Sequence, residues 1–315
     1  MDILQLNVWK GDWGLPSVDV ECLQVLAHAK FNGIPLKVNT SANLFKTPNG
    51  KLPVLKCNAG TFDTVKSIIE YFRKINYNTE YELKGKQCSK VLAYDAMLKE
   101  KLFPALQFIW WIDEKNVNEL IRPWYYKALP FPLKLYYPGK FEREAHAMFE
   151  MLHSVKDDIT DMTAIENKVY SEAQKCLTML SINLGELDYF LGKEPTVLDA
   201  IVYSYLAPLL KTPLPNPALQ NHLKACTNLV KYISRISDTF FGNECREYTT
   251  KENVQDTRKY SENEFPNKRR NQIIAGVFAT LVMSIYTFST GILEVSVKDN
   301  EILNIAAEDT STDDE

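Results

Sequence analysis

Two side chains near the start of the chain have the chemistry of a nucleophile, Ser17 and Cys22. Ser17 stands directly ahead of an apolar helical run, where it is expected to serve as the helix N-cap, a role that occupies its hydroxyl. Cys22 falls on the apolar face of that run with Val18, Val25, Leu26 and Ala29, so it is expected in the core. A general base has no obvious source. His28, His146, His153 and His222 are scattered, without a nucleophile at a telling spacing, and are expected at the surface or the core edge. Six cysteines, at 22, 57, 88, 176, 226 and 245, form no CxxC pair and no Cys/His set with zinc spacing. They read as reduced thiols of a body facing the cytosol. There is no Gly-rich phosphate loop and no nucleophile elbow. The residues predict no catalytic group, no cofactor and no metal.

The elements that would position such groups fall into two blocks. Residues 1–85 alternate strand and helix patterns. Ile3–Val8 reads as a strand, followed by the turn-rich loop Trp9–Pro16 and a helix from Ser17 to about Asn32-Gly33. Pro35–Asn39 and Leu52–Leu55 read as further strands, the latter entered through Pro53, and a helix spans about Lys66–Ile75. This is a thioredoxin-like order. Residues 86–240 are helical in pattern. Ile165, Val169, Ala173, Cys176, Leu177, Leu180, Leu184 and Leu187 form one apolar stripe. Thr196 and Asp199 make a capping box, each side chain serving the other's backbone N–H at the start of an apolar helix. The segment Phe103–Tyr137 is dense in aromatics. With Pro104, Pro123, Pro130, Pro132 and Pro138 it cannot be one uninterrupted helix. It serves either packing between the blocks or protein docking. The fold class is therefore α+β, a thioredoxin-like domain followed by an all-helical one.

The last part of the chain is different. Residues 241–272 are a polar tether ending in Lys268, Arg269 and Arg270, and 273–293 carry no charge. A helix of that length reaches roughly 31 Å, the hydrocarbon thickness of a bilayer. Basic residues stay on the cytosolic side, so the body is expected in the cytosol and the acidic tail, 294–315, across the membrane. Moderate hydrophobicity with a basic flank favours the mitochondrial outer membrane. Gly276, Thr280, Ser284, Thr287 and Gly291 line up as a small-residue face able to pack on another membrane helix; the alternative is a helix that simply sits in lipid. The net charge of −4 divides into −7 on that tail and +3 on the rest. The positive remainder is too weak and scattered for nucleic acid.

Beyond these patterns the chain resembles two known families. The thioredoxin-like block with Pro53 ahead of its third strand, and the Gly192-x-x-Pro195-Thr196-x-x-Asp199 string, resemble the glutathione transferase architecture, with its cis-proline and capping box. That resemblance implies a hydroxyl or thiol near the first helix to stabilise a thiolate, for which Ser17 is the sole candidate. It also implies an acid or amide followed by serine, which here falls on Thr64-Val65, and valine cannot donate. The strings Trp13–Ser17, Trp111–Asp113, Pro123–Tyr125, Pro130–Leu133, Tyr137–Gly139 and Arg269–Gln272 are similar to metaxins, especially the membrane-anchored ones. The resemblance spans the chain. It implies a mitochondrial outer-membrane subunit for protein import and β-barrel sorting and assembly. A second metaxin and the barrel-assembly core are the implied partners, and an inner-membrane organising complex and motor adaptors are wider ones. The competing expectations are a membrane-tethered glutathione-dependent transferase and a mitochondrial transport adaptor.

Overall fold

The computed structural model describes residues 4–40, 47, 50–77, 85–154, 162–242, 276–280 and 283. The chain divides into two compact units, Met1–Gln255 and Asp256–Glu315. In the first unit a four-stranded sheet has the order β2-β1-β3-β4, from β1 (Leu4–Asn7), β2 (Leu36–Asn39), β3 (Val54–Cys57) and β4 (Gly60–Phe62). β1 pairs parallel to β2, with Leu6 beside Val38, and antiparallel to β3, with Leu6 beside Leu55. A parallel neighbour requires a crossover, which is α1 (Val20–Phe31). α2 (Val65–Lys74) follows the sheet. The Leu52–Pro53 bond ahead of β3 is cis, in keeping with the role expected of Pro53.

The helical part begins with α3 (Gly85–Met97), a π-helical turn over Leu98–Leu102 and α4 (Phe103–Trp111). A short α5 (Glu114–Asn116), a second π-helical turn over Val117–Ile121 and α6 (Arg122–Ala128) repeat the pattern. Each wide turn lies just before a proline, Pro104 and Pro123. A proline donates no backbone hydrogen bond and crowds the carbonyl four residues back, and the wide turn accommodates both defects. α7 (Leu133–Ser154), α8 (Met162–Leu184), α9 (Val197–Lys211), α10 (Ala218–Ala225) and α11 (227–242) complete the unit.

α9 is the centre of this layer. Every residue from Val197 to Leu209 is buried, and α1 packs directly on it. The capping box holds: the Asp199 carboxylate accepts the Thr196 N–H and hydroxyl, both at 2.8 Å. On α8 the expected stripe is buried from Ile165 to Leu184, except that Val169 is half-buried. Leu187 departs from it and is exposed, because the helix ends at Leu184.

Two expectations fail in α1. The helix begins at Val20, so its N-cap is Asp19, whose side chain accepts the Cys22 N–H. Ser17 lies two residues short of that post and is buried, with its Oγ accepting the Asp19 N–H at 3.4 Å. His28 is not at the surface but inside the core, stacked on Phe72 with ring centroids 6.2 Å apart. Neither ring nitrogen of His28 has a hydrogen-bond partner, and burial, with Arg73 nearby, lowers its pKa to about 4.

Among the described residues no helix is long and apolar enough to cross a membrane. The expected span at 273–293 lies mostly outside them. Of its small-residue face only Gly276 and Thr280 are described, in a helical stretch where the Thr280 hydroxyl donates back to the Gly276 and Val277 carbonyls at 3.1 and 2.9 Å. Ser284, Thr287 and Gly291 lie outside the described residues, as do Lys268, Arg269 and Arg270.

Candidate functional site

A cavity of about 310 Å³ opens between the start of α1 and helices α4, α6 and α7. All five tryptophans of the chain line it: Trp9 and Trp13 from the β1–α1 loop, Trp110 and Trp111 from the end of α4, and Trp124 from α6. Tyr125 and Phe141 join them. The rings meet mostly edge to face or tilted, with Trp124–Tyr125 centroids at 4.9 Å, Trp111–Phe141 at 5.2 Å and Trp9–Tyr125 at 5.6 Å. Such packing aligns ring edges with ring faces and makes a stiff wall.

The β1–α1 loop carries half of that wall, and local chemistry fixes its path. Gly11 is required by crowding, since a Cβ there would sit 2.3 Å from the Leu15 carbonyl oxygen. Trp13 and Gly14 both adopt positive φ, 53° and 71°, a strained choice for tryptophan. Asp12 holds the turn in place. Its carboxylate accepts the Trp13 backbone N–H at 2.9 Å and, across the cleft, the Trp124 indole N–H at 2.6 Å. Lys211 of α9 donates to the Gly14 carbonyl at 3.0 Å.

The charges at this cleft are mainly negative. Asp19, Glu21 and Glu144 line it, against one ammonium, Lys51. Burial raises the Asp19 pKa. Glu21 is exposed on its outer side, yet partial desolvation by the cleft wall and then the Asp19 charge raise its pKa, with Lys51 and Lys99 opposing. Tyr125 is pushed far up by burial and by Asp19, so its hydroxyl stays protonated. The Cys22 thiol is also held well above its ordinary range, by burial first and then by Asp19. A thiolate needs a positive microenvironment, and the carboxylate capping α1 supplies the reverse.

The second expected binding element is also committed elsewhere. Thr64 is the N-cap of α2, in a capping box with Ser67, whose N–H donates to the Thr64 hydroxyl at 3.2 Å. Val65 opens the helix.

Residues 22–142 match the family model described as "Outer mitochondrial membrane transport complex protein", and 173–236 match that of the glutathione S-transferase C-terminal domain. Metaxin-1 of Macaca fascicularis is 39% identical over 293 residues, covering 93% of this chain and 92% of that protein. The chain belongs to the metaxin family. Metaxin-3 of Xenopus laevis is 40% identical over 239 residues, covering 76% of this chain and 77% of that protein. A glutathione S-transferase of Ceriporiopsis subvermispora, solved with glutathione, superimposes with a TM-score of 0.50 at 16% identity, covering 75% of this chain and 97% of that one. That likeness concerns the fold alone.

In this metaxin the aromatic segment divides into buried and exposed rings. Phe108, Trp111, Trp124 and Tyr137 are buried, whereas Tyr126, Phe131, Leu135 and Tyr136 stand exposed at the corner between α6 and α7, Phe131 by 74%. Reading the sequence missed Asp19 and the meeting of the tryptophans. The first had a signal, an acidic residue two positions after a serine with equal claim to the cap. The second joins residues about a hundred positions apart and has no local signal.

Proposed function

We propose that this metaxin is a non-enzymatic subunit of the mitochondrial outer membrane that serves protein import, acting there as a docking scaffold for the sorting and assembly of β-barrel proteins. The observation that carries the reading is the match of residues 22–142 to a family of outer-membrane transport complex proteins, backed by metaxin-1 relatives alike over 93% of the chain. A second metaxin and the barrel-assembly core are its proposed partners, with an inner-membrane organising complex and motor adaptors as wider ones. Residues 273–293 serve as the single membrane anchor, with Lys268, Arg269 and Arg270 on the cytosolic side, residues 241–272 as tether and 294–315 in the intermembrane space. Confinement to a membrane raises the effective concentration of weak contacts without new chemistry.

A second reading, a glutathione-dependent transferase, is favoured by the fold alone. Against it stand the carboxylate at the head of α1, the buried Ser17 and Val65 at the start of α2. One preparation tests both. Full-length protein in mitochondrial membranes is expected to resist alkaline carbonate, and a chain cut before Lys268 to be released when partners are absent. Calorimetry of the purified protein is expected to give millimolar or no affinity for glutathione. Quantitative carbonate extraction would remove the anchor, and micromolar glutathione binding lost in Ser17→Ala would make the protein an enzyme.

A further inference from the structure

We infer that the tryptophan-lined cleft is a receptor for a basic side chain, a guanidinium or ammonium group presented by a partner polypeptide. Resting on the docking reading above, the inference names what that scaffold grips. The walls and the mouth each argue for a cation. Indole is the best aromatic acceptor for a cation, because its ring face carries the negative end of the quadrupole. Five such rings around one cavity are all that the chain possesses. The Trp124 N–H is already bound to the Asp12 carboxylate at 2.6 Å, so that ring has no free N–H to offer a ligand acceptor.

At the mouth, Glu21 and Glu144 are exposed while Trp9, Trp111 and Trp124 behind them are buried. Three carboxylates against one ammonium leave the lining net negative. Glu144 makes a loose 3.8 Å pair with Lys140. Asp19 lines the cleft beside Glu21 and Tyr125. A cation entering here gains from all these groups, and an anionic tripeptide is repelled by them. The cavity, about 310 Å³, is at the small end of ligand sites, which run from about 300 to 1,000 Å³. It suits the end of one long side chain better than a folded surface.

The site reports on itself, since every tryptophan of the protein lines it. Full-length protein in detergent is titrated with a short capped peptide of alternating arginine and alanine, with tryptophan emission as the readout. The control replaces arginine by citrulline, which keeps the shape and removes the charge. The arginine peptide is expected to shift or quench the emission, and the citrulline peptide to need at least about tenfold more. Glu21→Gln combined with Glu144→Gln, at two exposed positions, is expected to weaken the arginine response at least about fivefold, with an unchanged thermal midpoint showing that the fold is kept. Equal responses to the two peptides, an unaffected double variant or a silent arginine peptide would overturn the proposal. If the arginine peptide is silent and glutathione is silent too, the proposal falls alone and the import-subunit reading stands. A glutathione response that the arginine peptide cannot displace would overturn both.

Discussion

Asp19 and Asp199 are both desolvated carboxylates at the head of a helix, α1 and α9, and both have pKa values raised by burial. Their company differs. Asp199 is fully buried and draws its donors from three places: the Phe190 N–H at 2.9 Å, the Thr196 N–H and hydroxyl, and the Tyr232 hydroxyl at 3.2 Å. It ties the loop before α9 and helix α11 to the core. Asp19 takes its backbone donors from its own first turn, Cys22 and Glu21, and lines the tryptophan cleft. One carboxylate spends its acceptors on the fold. The other keeps a charge facing a cavity. A helix cap is thus a structural device in one half of the molecule and the floor of a site in the other.

The substitution of aspartate by asparagine separates the two. In Asp199→Asn an amide replaces one acceptor oxygen and turns N–H groups toward donors that are already fixed. Leaving such donors unpaired in the core is expected to cost about 2–4 kcal/mol, read as a lower denaturant midpoint with unchanged slope. An effect below about 1 kcal/mol would mean that the loop before α9 is not held by this carboxylate.

That contrast also marks what was legible. The Thr196–Asp199 box and the strand entry at Pro53 were readable because their partners lie within a few residues, and local spacing carries the information. The thioredoxin-like order followed from the same short-range patterns. Asp19 was missed because Ser17 and Asp19 both suit an N-cap, and residue type alone does not choose between them. The π-helical turns before Pro104 and Pro123 were visible only as a conflict between proline and helix, without the form of its resolution. The tryptophan cleft needed the tertiary fold to bring Trp9 and Trp13 to Trp110, Trp111 and Trp124.

His28 sharpens the comparison, being a buried ionisable group on α1 with no hydrogen-bond partner at all. Its folded pKa of about 4 lies below the ordinary 6.5. A depressed histidine disfavours protonation in the folded chain, so its neutral form is tolerated above 6.5 and stability is lost as pH falls from 6.5 toward 4. The full loss is about 3 kcal/mol. His28→Phe, which keeps the stack on Phe72, is expected to remove that slope, measured as the difference in unfolding free energy between the two proteins at pH 7 and pH 4.5. Parallel pH profiles would show that His28 is hydrated or paired in solution.

The smallest effect has the opposite sign. Asp19 has a folded pKa raised above its ordinary 3.8. The folded chain therefore holds that proton more tightly than the unfolded one, and this contribution to stability is present below 3.8 and lost as pH rises through the folded value. At neutral pH the ionised Asp19 is a cost. Asparagine caps helices as well as aspartate, and its Oδ1 can accept the same Cys22 N–H. Asp19→Asn is thus expected to leave stability at pH 7 unchanged or raise it by up to about 1 kcal/mol, with the difference vanishing near pH 3. The same variant is expected to weaken the fluorescence response to the arginine peptide. Stability gained and cation binding lost in one substitution would be the mark of a charge kept for a partner. A variant that loses stability at pH 7 would instead make Asp19 a second Asp199, a carboxylate that the fold itself requires.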